Sequence, residues 1–189
     1  VIELTRAFPG TKLVLVQLPG KDRSNLAERQ RHAIACMNAV ARRAAAAGVR
    51  PTVHPNSPRG SLFRTADDYA ALFEGLDEEI GFTPDVGHVA AGGMDALVTV
   101  MRYRDRLDQV HFKDIYGDGT WAPTGQGRLD LRGIVSYLAS TAYEGWIVFE
   151  DESEDARRDP GEATRRNAVY AREVLLPLLG SGALHQGST

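Results

Sequence analysis

Five short apolar runs alternate with stretches of helical periodicity along the 189 residues, and four of the runs end on or beside a polar residue of metal-ligand type. The runs are KLVLVQL (12–18), PTVH ending on His54, IGFTPDV carrying Asp85, DQVHFKD carrying His111, and GWIVFED carrying Glu150. Each intervening stretch is long enough for a crossover connection, and strand–crossover–strand units of this length pair in parallel. The helical stretches have readable ends. Asn25 with Glu28 predicts a capping-box start for a helix to Ala47 that Gly48 closes, and Thr65 with Asp68 starts another to about Leu76. Met94 to Tyr103 and Leu131 to Thr141 follow, and Asp159, Pro160 and Glu162 open a last helix to about Leu179.

Two architectures build parallel sheets from such units. An open doubly wound sheet often carries a glycine-rich phosphate loop in its first turn, and LPGKDRSN lacks that pattern. A (β/α)8 barrel places functional residues at the C-terminal ends of several strands, which is where His54, Asp85, His111 and Glu150 fall. The expected class is therefore α/β, a (β/α)8 TIM barrel. A closed barrel takes eight units and typically about 250 residues. Five units are visible, so the reading is an incomplete barrel over residues 1–179 holding about five C-terminal βα units, with three N-terminal units outside this chain and a disordered tail at 180–189. Val1 in place of a methionine agrees with a fragment or processed product.

Composition removes several alternatives. A net charge of −3 and a pI near 6.0 provide no basic field for a phosphate backbone, so no nucleic-acid partner is expected. Cys36 is the single cysteine, which excludes a disulfide framework or a thiolate zinc site within the chain. No run reaches the roughly 18–20 apolar residues of a membrane span, and a cytoplasmic protein without a membrane partner is expected.

Four donors at four successive strand ends can converge on one divalent ion. Two imidazoles (His54, His111) and two carboxylates (Asp85, Glu150) suit Mn²⁺, Co²⁺, Fe²⁺ or Zn²⁺ better than Ca²⁺, with Mg²⁺ a less natural choice. Bland readings stand beside these: an Asx turn for Asp85, a turn role for His54, a surface ion pair for Lys113 with Asp114, and rim charges for Asp151 and Glu152. On the sharper reading Lys113 meets a substrate hydroxyl or developing negative charge. Trp121 either shields the core or stacks on a sugar ring. Arg59 and Arg64 read as solvated charges or contacts to an anionic substrate, Gly125 and Gly127 as turn glycines, and His32 and His185 as incidental.

The segments HPNSPRGS, PDVGH, QVHFKD, PTGQGRLDLRGI and YEGWIVFED, in this order, resemble the xylose-isomerase-like TIM barrel superfamily of sugar isomerases and epimerases, especially its inosose-dehydratase-like branch. The resemblance covers residues 12 to about 176. It implies a metal held by Asp85, His111 and Glu150, with His88 placed on substrate oxygen. Many relatives have a glutamate where this chain has His54. Similar branches carry an HPH-like segment there, whose second histidine corresponds to Asn56, a candidate substrate contact. Two-carboxylate epimerisation is thereby put in doubt, while isomerisation and dehydration stay open. The expected activity is proton abstraction beside the carbonyl of a sugar or cyclitol by Glu150, His88 or His54, with Lys113 assisting, in a monomer or homo-oligomer. The competing readings are a non-catalytic carbohydrate-binding relative and an abasic-site nuclease sharing the barrel.

Overall fold

In the computed structural model, which describes residues 1–181, the alternation forms one curved parallel wall. After α1 (Ile2–Arg6), β1 (Lys12–Leu15) leads to α2 (Leu26–Ala46) and β2 (Arg50–Val53), then α3 (Ala66–Gly75) and β3 (Gly81–Phe82). Two short helices follow, α4 (Val86–Ala91) and α5 (Ala96–Arg102), before β4 (Gln109–Phe112). A hairpin of β5 (Asp114–Ile115) and β6 (Trp121–Ala122) precedes α6 (Leu131–Ser140) and β7 (Trp146–Phe149). The chain closes with α7 (Glu154–Arg158), α8 (Pro160–Tyr170), a π-helical turn at Ala171–Leu175 and α9 (Leu176–Ser181). The predicted tail lies outside the described residues apart from its first two positions, which continue α9.

β1, β2 and β3 pair in parallel in chain order, and β4 pairs in parallel with β7. Bridges at Phe82–Leu107 and Asp85–His111 join the two sets, so the five strands run β1-β2-β3-β4-β7 as successive staves. Helices pack on the outside over a core that includes Phe63, Tyr69, Leu72, Phe82, Val110, Phe112 and Ile134. All the residues expected as ligands leave the wall at its C-terminal edge. At the opposite edge, Asp108 draws together the strand starts: Lys12 Nζ and Arg50 Nε both donate to its Oδ1, and a Cβ at Gly81 would overlap its other oxygen.

Sequence and structure differ in instructive places. Asn25 does not form the expected capping box: it sits in the left-handed region at φ 50° without a side-chain cap bond. Asp22 holds that loop instead, by accepting from the Ser24 N–H and hydroxyl, while Arg29 donates to the Asp22 and Ser24 carbonyls. The first strand stops at Leu15 because the chain turns outward to meet the β2 loop, where the Asn56 side chain donates to Gln17 O and Leu62 N–H donates to Gln17 Oε1. Neither α4 nor the β5–β6 hairpin is visible in the periodicity, since each is six residues or shorter per element.

The Thr65 capping box does form. Asp68 is buried and accepts from the backbone of Arg64 and Thr65 and from the side chains of Arg23 and Gln30. Burial alone would raise its pKa, but these donors outweigh it and the carboxyl lies below the ordinary aspartate value. The sign of the linkage follows: the stabilisation is complete above the unfolded aspartate pKa and disappears as pH falls through the lower folded value. Thr65→Ala is expected to cost about 1 kcal/mol. Asp68→Asn is expected to flatten the acid limb of a stability–pH curve measured by urea unfolding; an unchanged limb would remove Asp68 from this role.

Candidate metal centre and catalytic site

His54 follows β2, Asp85 caps α4 just after β3, His111 lies within β4 and Glu150 follows β7. Parallel register brings these positions to one depth. Glu150 Oε2 lies 2.8 Å from His111 Nδ1 and 3.7 Å from His54 Nε2, which in turn lies 4.0 Å from Asp85 Oδ2. One donor atom from each of the four residues falls within 4.8 Å of all the others. The sequence-predicted quartet is therefore brought together whole.

Asp85 divides its two oxygens between two tasks. Oδ1 accepts the His88 N–H as the N-cap of α4, whereas Oδ2 is buried and accepts no hydrogen bond. The Asx-type reading holds for Oδ1, and Oδ2 is the oxygen that points toward the other three donors. The cation that faces this buried oxygen is the Lys113 ammonium, 3.1 Å away, and the donor set around it is borderline nitrogen with hard oxygen. The residues present therefore fit a divalent transition-type ion.

Lys113 does not form the surface pair that adjacent charges usually form. Both Lys113 and Asp114 are buried, and they point to different places. The Lys113 ammonium enters the centre, 2.7 Å from Glu150 Oε1, 3.1 Å from Asp85 Oδ2, 3.2 Å from Glu152 Oε1 and 3.3 Å from His88 Nε2. Burial pulls its pKa down, but the Asp85 and Glu150 carboxylates overcome that and hold it above the ordinary lysine value. Glu150 is pushed the other way: the His111 hydrogen bond and the nearby His54 imidazole, with Lys113 adding to them, overcome burial and hold it far below the usual carboxylate range. Burial holds the His88 pKa below the ordinary histidine value.

Trp121 stands over this group instead of shielding the core. Its ring is 5.3 Å from the His88 ring, edge to face, and 5.2 Å from Lys113 Nζ. Its pairing with Ile115 in the hairpin sets it there, and the Asp114 carboxylate organises the adjoining segment by accepting from the backbone N–H groups of Ile115, Gly125, Gly127 and Leu129. Asn56 is placed differently from the other candidates: its amide donates to Gln17 O and its oxygen accepts from Ser61, so its side chain serves the loop. Arg64 is neither solvated nor directed at an anion; it donates to the carbonyls of Ser57 and Ala91. Glu152, read from sequence as a rim charge, is the residue the sequence undervalued. Its place two residues past a strand-end ligand was the available signal, because such a position returns to the same rim.

A parallel βα wall with metal-type donors converging at the C-terminal strand ends defines the TIM-barrel class of site. Comparison with known proteins narrows this, since the family model described as xylose isomerase-like TIM barrel matches residues 1–174. The chain belongs to that family. It is 25% identical over 158 residues to the inosose dehydratase of Salmonella typhimurium, covering 74% of this chain and 52% of that protein. It thus spans about half the length of the curated relatives it matches. Among solved structures, the IOLI protein with a binding zinc atom superposes with a TM-score of 0.75 at 16% identity, covering 95% of this chain and 66% of that one. A D-tagatose 3-epimerase-like protein does so with a TM-score of 0.73 at 20% identity, covering 92% and 66%. Among the described residues no helix is long and apolar enough to cross a membrane.

Proposed function

We propose that this chain carries the metal-binding and proton-transfer residues of an isomerase, epimerase or dehydratase acting beside the carbonyl of a sugar or cyclitol. The observation that carries the reading is the conjunction of four converging donors with a buried ammonium and a buried imidazole at one strand-end depth. Support comes from the similarity to inosose dehydratase and from the zinc atom in the IOLI protein.

His54, Asp85, His111 and Glu150 would hold a divalent ion, which when bound would supply Lewis acidity toward a carbonyl and its adjacent hydroxyl. The protein residues divide the remaining work. Glu150, which accepts from His111 and Lys113 at the strand-end depth of the other donors, serves as a ligand. His88 presents Nε2 toward the centre and takes the proton from the carbon beside the carbonyl. The Lys113 ammonium, already within reach of three carboxylates, stabilises negative charge that develops on substrate oxygen. Trp121 offers an indole face to the apolar side of a ring and keeps water from the transferring proton.

The test combines metal analysis with proton exchange. Protein purified without chelator is expected to hold one divalent ion per chain, and in D₂O to exchange the proton beside the carbonyl of at least one ketose or inosose from a panel read by NMR. Chelation should abolish the exchange and metal return should restore it. Protein that holds no metal but still binds sugars would replace this reading with that of a non-catalytic carbohydrate-binding protein.

A further inference from the structure

Residues 54–64 do more than deliver His54. Ser57 is buried, and its hydroxyl lies 2.8 Å from Nδ1 of His88; on the other side of the same ring, Nε2 faces the Lys113 ammonium at 3.3 Å. Lysine is a donor only, so the nitrogen it faces must carry the lone pair. The ring proton is then on Nδ1, and the Ser57 oxygen accepts it. Both nitrogens are thus assigned by their neighbours.

The Ser57 hydroxyl is held in place by a separate device. Arg64 Nε donates to the Ser57 carbonyl at 2.7 Å, and its Nη2 donates to the carbonyl of Ala91, the last residue of α4, at 3.0 Å. The guanidinium therefore spans from the loop that bears Ser57 to the end of the helix that bears His88. Gly92 is part of the same arrangement, since a Cβ there would overlap the Arg64 carbonyl. At the other end of α4, Asp85 Oδ1 accepts the His88 N–H. Helix, loop and ring are fixed with respect to one another at three points, and none of them involves substrate.

We infer that Ser57 is a positioning residue that fixes His88 as the Nδ1–H tautomer, so that Nε2 faces the reaction centre as a proton acceptor, with Arg64 holding the pair in register. This rests on the reading of His88 as the proton-carrying residue. It adds the reason that one ring nitrogen, and not the other, is available. In the opposite tautomer Nε2–H would point at the Lys113 ammonium, donor against donor, and the acceptor would be turned away from substrate.

The tautomer is read directly, without a substrate. In ¹⁵N-histidine-labelled protein at pH 8, long-range ¹⁵N–¹H correlation is expected to show His88 with a pyrrole-type Nδ1 and a pyridine-type Nε2, assigned by loss of the signals in His88→Gln. Ser57→Ala is expected to move both shifts toward a mixture of the two tautomers, and Ser57→Thr, which restores the hydroxyl, to return them. Zinc affinity by calorimetry should be unchanged in Ser57→Ala, because Ser57 touches none of the four ligands. A wild-type ring with the proton on Nε2 would overturn the inference, as would shifts that do not respond to Ser57→Ala in a variant with native far-UV circular dichroism. If the tautomer is as inferred but no panel sugar exchanges its proton, the positioning role stands and the proposed function fails.

Discussion

Replacing His111 with alanine is expected to abolish metal-dependent proton exchange, by at least about 1,000-fold, while leaving the protein folded. The magnitude follows from the Lewis-acid contribution of several kcal/mol, since about 4 kcal/mol in a barrier corresponds to three decades in rate. His111 is the cleanest of the four ligands to remove. Asp85 also caps α4 through Oδ1, so its loss would confuse binding with folding. Glu150 also receives the Lys113 ammonium, so its loss would remove that buried charge's shortest carboxylate contact together with a ligand. The one recorded side-chain hydrogen bond of His111 is with Glu150, which keeps Lys113 as a partner in the variant. The decisive measurements are metal content by elemental analysis and exchange rate in the same preparation, with thermal unfolding alongside. Retention of both metal and activity in His111→Ala would move the centre elsewhere.

The second large effect is expected at Asp114. Its Oδ2 accepts from Gly125 and Gly127 and its Oδ1 from Ile115 and Leu129, so one buried carboxylate organises the whole segment that follows the hairpin. Asp114→Ala leaves these N–H groups without their acceptor. With relaxation of part of the loop into water, the expected cost is about 3–5 kcal/mol, or roughly a 10 °C fall in Tm for a chain of this size. Asp114→Asn exchanges one acceptor oxygen for a donor and should lose about half as much, because either orientation of the amide fails two of the N–H groups. The same substitution should loosen Trp121 from its place over Lys113 and His88. Trp146 is the other tryptophan and is exposed, so fluorescence in a Trp146→Phe background isolates the site indole. A red shift in emission with Asp114→Ala is expected; an emission maximum and Tm both equal to wild type would show that the loop holds itself. Gly127→Ala approaches the same point from the other side, since its Cβ would overlap the Asp114 carboxylate.

The barrel class and the convergence of four strand-end donors were legible in the sequence because each rests on strand ends, and parallel strands bring their ends to a common depth. His54, Asp85, His111 and Glu150 needed only the order of elements to be found. The burial of Lys113 and the roles of Asp114 and Asn56 were not legible in that way. Adjacent residues on a strand face opposite sides, so Lys113 entering the centre and Asp114 turning to the loop are consequences of alternation at a strand end. Knowing that both were buried required the helices that cover them. Asn56 aligns with a site position, yet its side chain is committed to Gln17 and Ser61, contacts that depend on two loops meeting in space. Glu152 and Ser57 likewise gain their importance from neighbours 39 and 31 residues away, Lys113 and His88, which local patterns do not encode.

The Asp108 junction at the edge of the wall away from the site carries a consequence for how the chain assembles. Lys12 donates to the Asp108 carboxylate and carbonyl from 96 residues earlier in the chain, and Arg50 reaches the same carboxylate from 58 residues earlier. Closing loops of that length costs entropy before any contact repays it, so the lysine bond can form only after β2, β3 and β4 already stand side by side. It acts as a latch at the end of assembly. Lys12 and Asp108 thus tie the start of β1 to the start of β4 across the two strands that lie between them, on the side of the wall away from the four donors.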